Sequence, residues 1–187
     1  MKRLGSALLA FLLAVSALAV PAVPGRANAV ACFTAFTAND KARSYRMILT
    51  SRNGVETIDM VKPDRMHILT NGTEIIAIGN RGWARLGPNS VWKPTPAMSM
   101  SDIRSMLAAI TGKQHSGDTC VDAGMGSYRG HPAHLYKGTH AGPFGPSKGT
   151  IYVFGDRLVH HIDAVSARGT LSMDFTDFNT ATVYPPE

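Results

Sequence analysis

The chain has 187 residues, and the 158 residues from 30 to 187 are enough for one domain with its own core but not for two of comfortable size. Its formal net charge is +6, yet the basic residues are scattered and form no run of four or more. A nucleic-acid-binding surface would cluster them, so this charge does not predict a nucleic-acid partner.

The first 29 residues have the pattern of a secretory signal peptide. Lys2 and Arg3 precede an apolar run over residues 4–20, and Ala27-Asn28-Ala29 then provides a small-x-small cleavage site. The competing interpretation is a membrane anchor, but the run is at the short end for a bilayer span and leads directly into the cleavage motif. We therefore predict that residues 1–29 are removed and that the mature protein begins at Val30.

The mature protein is expected to be periplasmic or secreted. No later stretch of the sequence is apolar enough to span a bilayer, so we do not expect an integral membrane protein. Processing removes three basic residues and no acidic one, which leaves 16 basic against 13 acidic residues and lowers the formal charge from +6 to +3. Residues 30–187 are predicted to form a single domain, and we expect a monomer.

Two cysteines, Cys32 and Cys120, lie in the mature part. An even cysteine count in an exported chain favours a disulfide, here worth about 4–5 kcal/mol in the chain-entropy model. One alternative is lipidation of Cys32, because residues 29–32 loosely resemble a bacterial lipobox, although eleven residues separate the apolar core from it. Free thiols are the other alternative.

The first half of the mature chain has the pattern of short antiparallel strands. Residues 43–51 alternate apolar and polar side chains, and Asn53-Gly54 and Asn71-Gly72 are strong hairpin signals. Tight turns bound every run, which predicts a continuous meander. The predicted strands are 43–51, 55–62, 66–70, 73–79, 83–86 and 91–93.

One helix is predicted in the second half. Ser99 or Ser101 can cap it and Gly112 ends it, with Met100, Ile103, Leu107 and Ile110 on one face. Residues 112–126 are expected to be a loop, and 138–149 a turn-rich connection. Further strands are predicted at 127–129, 133–137, 151–154, 158–164 and 170–174.

This pattern predicts a mainly β fold with few helices. A sheet of about nine or more strands must bury one face, and one helix has too little apolar surface to cover it. The sheet therefore either closes into a barrel or curls around the helix and leaves a groove.

Several segments resemble the LolA/LppX-like group of bacterial envelope lipid and lipoprotein carriers. The resemblance covers about residues 43–187, and it implies a half-open antiparallel barrel with one or two helices on a concave side that holds acyl chains. The segments that carry it are Tyr45-Arg46-Met47, residues 61–67, 74–79, Trp92-Lys93, Gly130-His131-Pro132-Ala133 with Tyr136, residues 177–179 and residues 183–186.

No catalytic or metal-binding motif is complete, so we expect a protein that is not an enzyme and has no cofactor. His131 with His134, and His160 with His161, lack a third ligand at a recognisable spacing. Residues 142–150 lack the order of a phosphate-binding loop. No nucleophile elbow is present.

Two functions remain open. The first is an envelope carrier or chaperone that binds a lipid or lipoprotein acyl chain. The second is a protein-interaction or sensory module that uses the same fold to bind another envelope protein. For the carrier, the predicted residues lining an apolar cavity are Met47, Leu49, Met66, Ile68, Ile76, Ile78, Met100, Ile103 and Leu107.

Overall fold

The structure is a computed structural model that describes residues 34–35, 37–95, 118–142 and 145–186, with the backbone alone at 140–142 and 145. The predicted signal peptide, Cys32, and the predicted helix with Met100, Ile103 and Leu107 lie outside the described residues. In the part of the chain that the structure describes, no helix is long and apolar enough to cross a membrane.

The described chain consists almost wholly of β-strands. A short 3₁₀ helix, Ala38–Lys41, precedes them. The strands are β1 (Ser44–Ser51), β2 (Gly54–Val61), β3 (Arg65–Thr70), β4 (Thr73–Ile78), β5 (Arg81–Leu86), β6 (Lys93–Thr95), β7 (Thr119–Tyr128), β8 (His131–Gly142), β9 (Gly145–Val153), β10 (Val159–Ser166) and β11 (Gly169–Thr176).

All eleven strands form one antiparallel sheet in the order β6-β5-β4-β3-β2-β1-β11-β10-β9-β8-β7. At the centre of the sheet, β1 pairs with β11. The two edges of the sheet are β6 and β7, which are not paired with each other, so the sheet curls without closing. The expected curled, half-open antiparallel sheet is therefore confirmed. The edge strand β6 contains Pro94, which cannot donate to a further strand and so discourages edge-to-edge association.

Two-residue turns set the register of the first hairpins. Asn71 and Gly72 have φ angles of 42° and 80°, the positive values that a type I′ hairpin turn requires at both positions. The turn between β1 and β2 is Arg52-Asn53, one residue earlier than predicted. Gly54, with φ 121°, already pairs with Ser51.

The predicted loop over residues 112–126 is wrong for its second part, because Thr119–Tyr128 is the edge strand β7. The glycine that suggested a loop produces a bulge instead. The register shifts between Asp122 and Gly124, and the Gly124 amide donates to the Asp122 carboxylate at 2.8 Å. A bulge bends the strand without ending its pairing.

The predicted turn-rich connection over 138–149 is also wrong, since β8 extends to Gly142 and β9 begins at Gly145. Its glycines allow neighbouring strands to approach closely. A Cβ atom on Gly138 would lie 2.2 Å from the Thr119 carbonyl oxygen, and one on Gly149 would lie 2.8 Å from that of Asp163.

One face of the sheet carries the hydrophobic core, and we call it the apolar face. Its buried side chains alternate along the strands with side chains of the opposite face, as the two-residue period of a strand requires. The buried members of the cluster are Met47, Leu49, Ile58, Met60, Met66, Ile68, Ile151, Val159, Ile162, Met173 and Phe175.

Segments before β1 and after β11 are bound to the strands by hydrogen bonds. The buried Asn39 side chain accepts a bond from the Val159 amide at 2.9 Å and donates to the Val159 carbonyl at 3.0 Å. Asn179 bonds the backbone of Arg43 and Ser44 at 2.8 Å each. These bonds satisfy backbone groups beside the sheet, including a residue next to the irregularity in β10.

Candidate functional site

The apolar face is the candidate ligand-binding surface, and four of the predicted lining residues lie on it together. Met47 and Leu49 of β1 and Met66 and Ile68 of β3 all belong to the buried cluster. The register explains this: Ile58 of β2 lies opposite both Met47 and Ile68. These four side chains therefore share one face of the sheet. Their role as ligand contacts stays a prediction.

The prediction is wrong for Ile76 and Ile78, which lie on the opposite face. The pairing of β3 with β4 places Ile75 opposite Ile68 and Ala77 opposite Met66, so Ile75 and Ala77 lie on the apolar face. Ile76 instead lies opposite His67. Because neighbouring residues of a strand point to opposite faces, an error of one residue exchanges the whole set.

The sequence-based prediction omitted the contribution of the C-terminal half. Ile151 of β9, Ile162 of β10, and Met173 and Phe175 of β11 complete the cluster, with Ile151 and Met173 both lying opposite Ile162. Alternation in residues 158–164 and 170–174 was the available signal. The pairing of β1 with β11 was not visible, so the two halves of the face could not be joined.

The composition of the apolar face suits an apolar ligand of variable shape. Four methionines, Met47, Met60, Met66 and Met173, are buried in it. Thioether side chains are unbranched and polarizable, so they adapt to irregular apolar surfaces. This surface can solvate hydrocarbon, and its buried cluster offers no group that could act as acid, base or nucleophile.

The opposite face carries a row of polar, mostly charged side chains, which we call the charge ladder: Arg46, Asp59, His67, Glu74 and Arg85. The Arg46 guanidinium binds both carboxylate oxygens of Asp59, at 2.7 and 3.0 Å. His67 Nε2 lies 2.8 Å from Glu74 Oε1, and Arg85 Nε donates to Glu74 Oε2 at 2.5 Å. The ladder therefore links side chains on five adjacent strands, with His67 Nδ1 3.5 Å from Asp59.

The charge ladder shifts the pKa values of Arg46 and Glu74. The hydrogen bond to Asp59 raises the pKa of Arg46. Partial burial acts to raise the pKa of the Glu74 carboxyl, but hydrogen bonds from Arg85 and His67 outweigh it and lower that pKa below its usual value. Glu74 is thus held ionised, as expected for a structural ion pair rather than a proton-transfer group.

A second polar cluster lies on the same face around His161. Its ring is buried, with Nδ1 2.8 Å from Asp174 and Nε2 2.9 Å from Asp163. Tyr128 stacks on it with ring centroids 3.8 Å apart and donates its hydroxyl to Asp174 at 2.8 Å. Burial, then the bond to Asp174, raises the pKa of Tyr128 to about 12.

The histidines that were considered as metal ligands have other partners. His134 Nε2 lies 2.7 Å from Asp122, and His160 Nε2 lies 2.8 Å from Asp156 while its ring stacks on Phe154. Within residues 34–35, 37–95, 118–142 and 145–186, no group of three or more His, Cys, Asp or Glu side chains could hold a metal ion.

Comparison with known proteins identifies the fold. No protein-family model matches the sequence, and no curated protein matches it significantly. The structure is similar to that of the lipoprotein LppX of Mycobacterium tuberculosis, with a TM-score of 0.60, 12% identity, and coverage of 83% of this chain and 99% of that chain. It is also similar to LprF of Mycobacterium bovis, with a TM-score of 0.59, 13% identity, and coverage of 83% and 94%. The chain therefore has the LppX/LolA-like fold.

Proposed function

We propose that this protein is an exported envelope protein that holds the acyl chains of a lipid or lipoprotein against the apolar face of its open sheet. The observation that carries the proposal is a methionine-rich apolar face on a sheet that does not close. Burying hydrocarbon releases about 0.8 kcal/mol per CH₂ group, so a long chain leaves water without any catalytic step. The protein acts by binding alone.

Export is the second part of the proposal. The charged start, apolar run and cleavage motif of residues 1–29 support it. The fold is shared with LppX, which is described as a lipoprotein. The disulfide between Cys32 and Cys120 belongs to the same proposal, because such bonds persist in oxidising compartments.

Two isoleucines of β4 provide a matched test of where the ligand lies. Ile75 and Ile78 are both half-buried, but Ile75 packs against the apolar cluster and Ile78 lies on the opposite face. With a fluorescent fatty acid titrated into the purified protein, we expect Ile75→Gln to weaken binding about tenfold, as loss of roughly two buried CH₂ groups predicts. We expect Ile78→Gln to bind as the parent does.

Thermal melts of both variants show whether each remains folded. Equal loss of binding in the two variants, with cooperative melting retained, would place the ligand elsewhere. If the parent protein ignores fatty-acid and phospholipid probes, the apolar face is a filled core. The interaction-module function then replaces the carrier function.

A further inference from the structure

Exposed apolar side chains concentrate at one end of the sheet. Seven large hydrophobic residues are exposed among those described, and five of them lie at the end where the β1–β2, β3–β4, β5–β6 and β10–β11 turns are found. Single exposed hydrophobic residues are ordinary, but a group at one end marks an interaction surface. We call this group the rim: Val55, Leu69, Leu86, Val91 and Val165.

The most exposed members of the rim are held in place by a fixed loop. Leu86, at 75% exposed, ends β5, and Val91, at 81% exposed, lies in the loop between β5 and β6. Arg85, which is bound to Glu74, also donates to the Pro88 carbonyl at 2.9 Å, and the Ser90 hydroxyl donates to the Leu86 carbonyl. The loop is thus tied to the charge ladder, which presents two apolar side chains outward at little entropic cost on binding.

The same end carries positive charge. Arg52 lies in the β1–β2 turn, Arg168 in the β10–β11 turn, and Lys148 pairs with Val165; all three are exposed. The two turns are adjacent, since a Cβ atom on Gly169 would lie 3.7 Å from Arg52.

The four turns themselves contain no acidic residue. The carboxylate of Glu56, in β2, accepts a hydrogen bond from the Thr70 hydroxyl, and Asp118 lies at the far edge of the sheet, before β7. The turns of this end therefore carry net positive charge, from Arg52 and Arg168.

We propose that the rim docks on the surface of a membrane that contains anionic lipids, with its apolar side chains in the interfacial layer and Arg52, Lys148 and Arg168 against the headgroups. Apolar contact and cationic charge together bind such a surface, whereas either alone binds weakly. This docking is separate from acyl binding, since the rim residues are not members of the apolar cluster.

Sedimentation with vesicles tests the proposal on protein purified as the cell exports it. Vesicles of equal phosphatidylglycerol and phosphatidylcholine should bind the parent, and binding should fall as salt rises. Replacing the cations together (Arg52→Gln, Lys148→Gln, Arg168→Gln) should lower the partition coefficient about a hundredfold at low salt. Replacing Leu69, Leu86 and Val91 with threonine should lower it about tenfold.

Matched controls separate the rim from general charge and apolarity. Met125→Thr with Tyr184→Thr removes exposed apolar residues away from the rim, and Lys41→Gln with Arg81→Gln removes exposed cations at the other end; both should bind like the parent. Equal binding of rim and control variants would overturn the proposal. So would equal binding of the parent to pure phosphatidylcholine, or a parent dimer that the rim substitutions convert to monomer. Fatty-acid binding in vesicle-free solution should be unchanged in the rim variants, so failure here is distinguishable from failure of the carrier function.

Discussion

The Glu74 side chain, on β4, links the strands on either side of it. Its two carboxylate oxygens are shared between His67 of β3 and Arg85 of β5, and Arg85 also lies 4.5 Å from the ring centre of Trp92. These residues are separated by 7 to 11 positions along the chain and come together through hairpin pairing. The charge ladder therefore could not be predicted from local charge patterns without the registers of four strand pairings.

Removing the charge of Glu74 should change the stability of the protein in acid. Its pKa is lowered in the folded state, so its stabilisation is present above the usual carboxyl pKa of 4.5 and is lost as pH falls through the lowered value. We expect Glu74→Gln to reduce the free energy of unfolding at pH 7 by about 1 kcal/mol, and the difference between the two proteins to be smaller at pH 3. Urea unfolding at the two pH values measures both effects.

The control is Glu56→Gln, since the Glu56 carboxylate accepts its bond from the Thr70 hydroxyl rather than from an arginine. A Glu74→Gln protein that unfolds with the same pH dependence as the parent would show that this carboxylate contributes nothing to acid sensitivity.

At the scale of the strand, the length of a turn determined whether the pairing of its two strands could be predicted from the sequence. The two-residue turn Asn71-Gly72 makes Thr70 and Thr73 partners, and counting outward pairs Ile68 with Ile75. The apolar assignment of β4 was therefore available from the hairpin signal, although hydrophobicity alone favoured Ile76 and Ile78. The strands of the first half were predicted well because tight turns such as Asn71-Gly72 have strong sequence signals.

Strands β7 to β9 were harder to predict because their glycines have two possible meanings. Glycine is typical of turns, but it also allows close approach of two backbones. Gly138 and Gly149 serve the second purpose within paired strands. The distinction depends on a partner strand, which no local window of sequence contains.

An added methyl group at Gly138 should therefore be costly. Its Cβ would lie 2.2 Å from the backbone oxygen of Thr119, which only a shift of β7 can relieve. We expect Gly138→Ala to lower the free energy of unfolding by about 2 kcal/mol, measured by chemical denaturation. Gly155→Ala is the matched control, since no atom lies within 4 Å of its added Cβ, and its effect should stay within about 0.5 kcal/mol. Similar effects at the two positions would contradict the close approach seen at β7.

For the whole molecule, the resemblance and the hairpin pattern together predicted the open curled sheet. The two candidate functions followed from the same inference. The part of the apolar face that comes from the C-terminal half of the chain could not be predicted, because the order of the strands in the sheet is a property of the folded chain. Met47 and Phe175 lie opposite each other in the sheet although 128 positions separate them in sequence. Nothing local to either strand indicates that pairing.

The predicted disulfide connects the start of the mature chain to an edge of this sheet, since Cys120 lies in β7. We expect alkylation of exported protein without reductant to label neither cysteine. Cys120→Ser, Cys32→Ser and the double variant should lower the free energy of unfolding by similar amounts of about 2–5 kcal/mol, because each removes the same bond. Two labelled thiols in unreduced exported protein would disprove the bond, and a diacylglycerol adduct on Cys32 would indicate lipidation.

The central pairing of β1 with β11 has a consequence for the time course of folding. Every other strand pairing described joins strands that are consecutive along the sequence. The two edge strands, β6 and β7, are consecutive in sequence but are not paired with each other. Hairpins close short loops and form within microseconds, whereas β1 and β11 meet only after a loop of more than a hundred residues closes. We therefore expect the two meanders to form first, each with its part of the apolar face exposed to water. The strands at the middle of the finished sheet are the last to join, and until they do the chain is most vulnerable to aggregation.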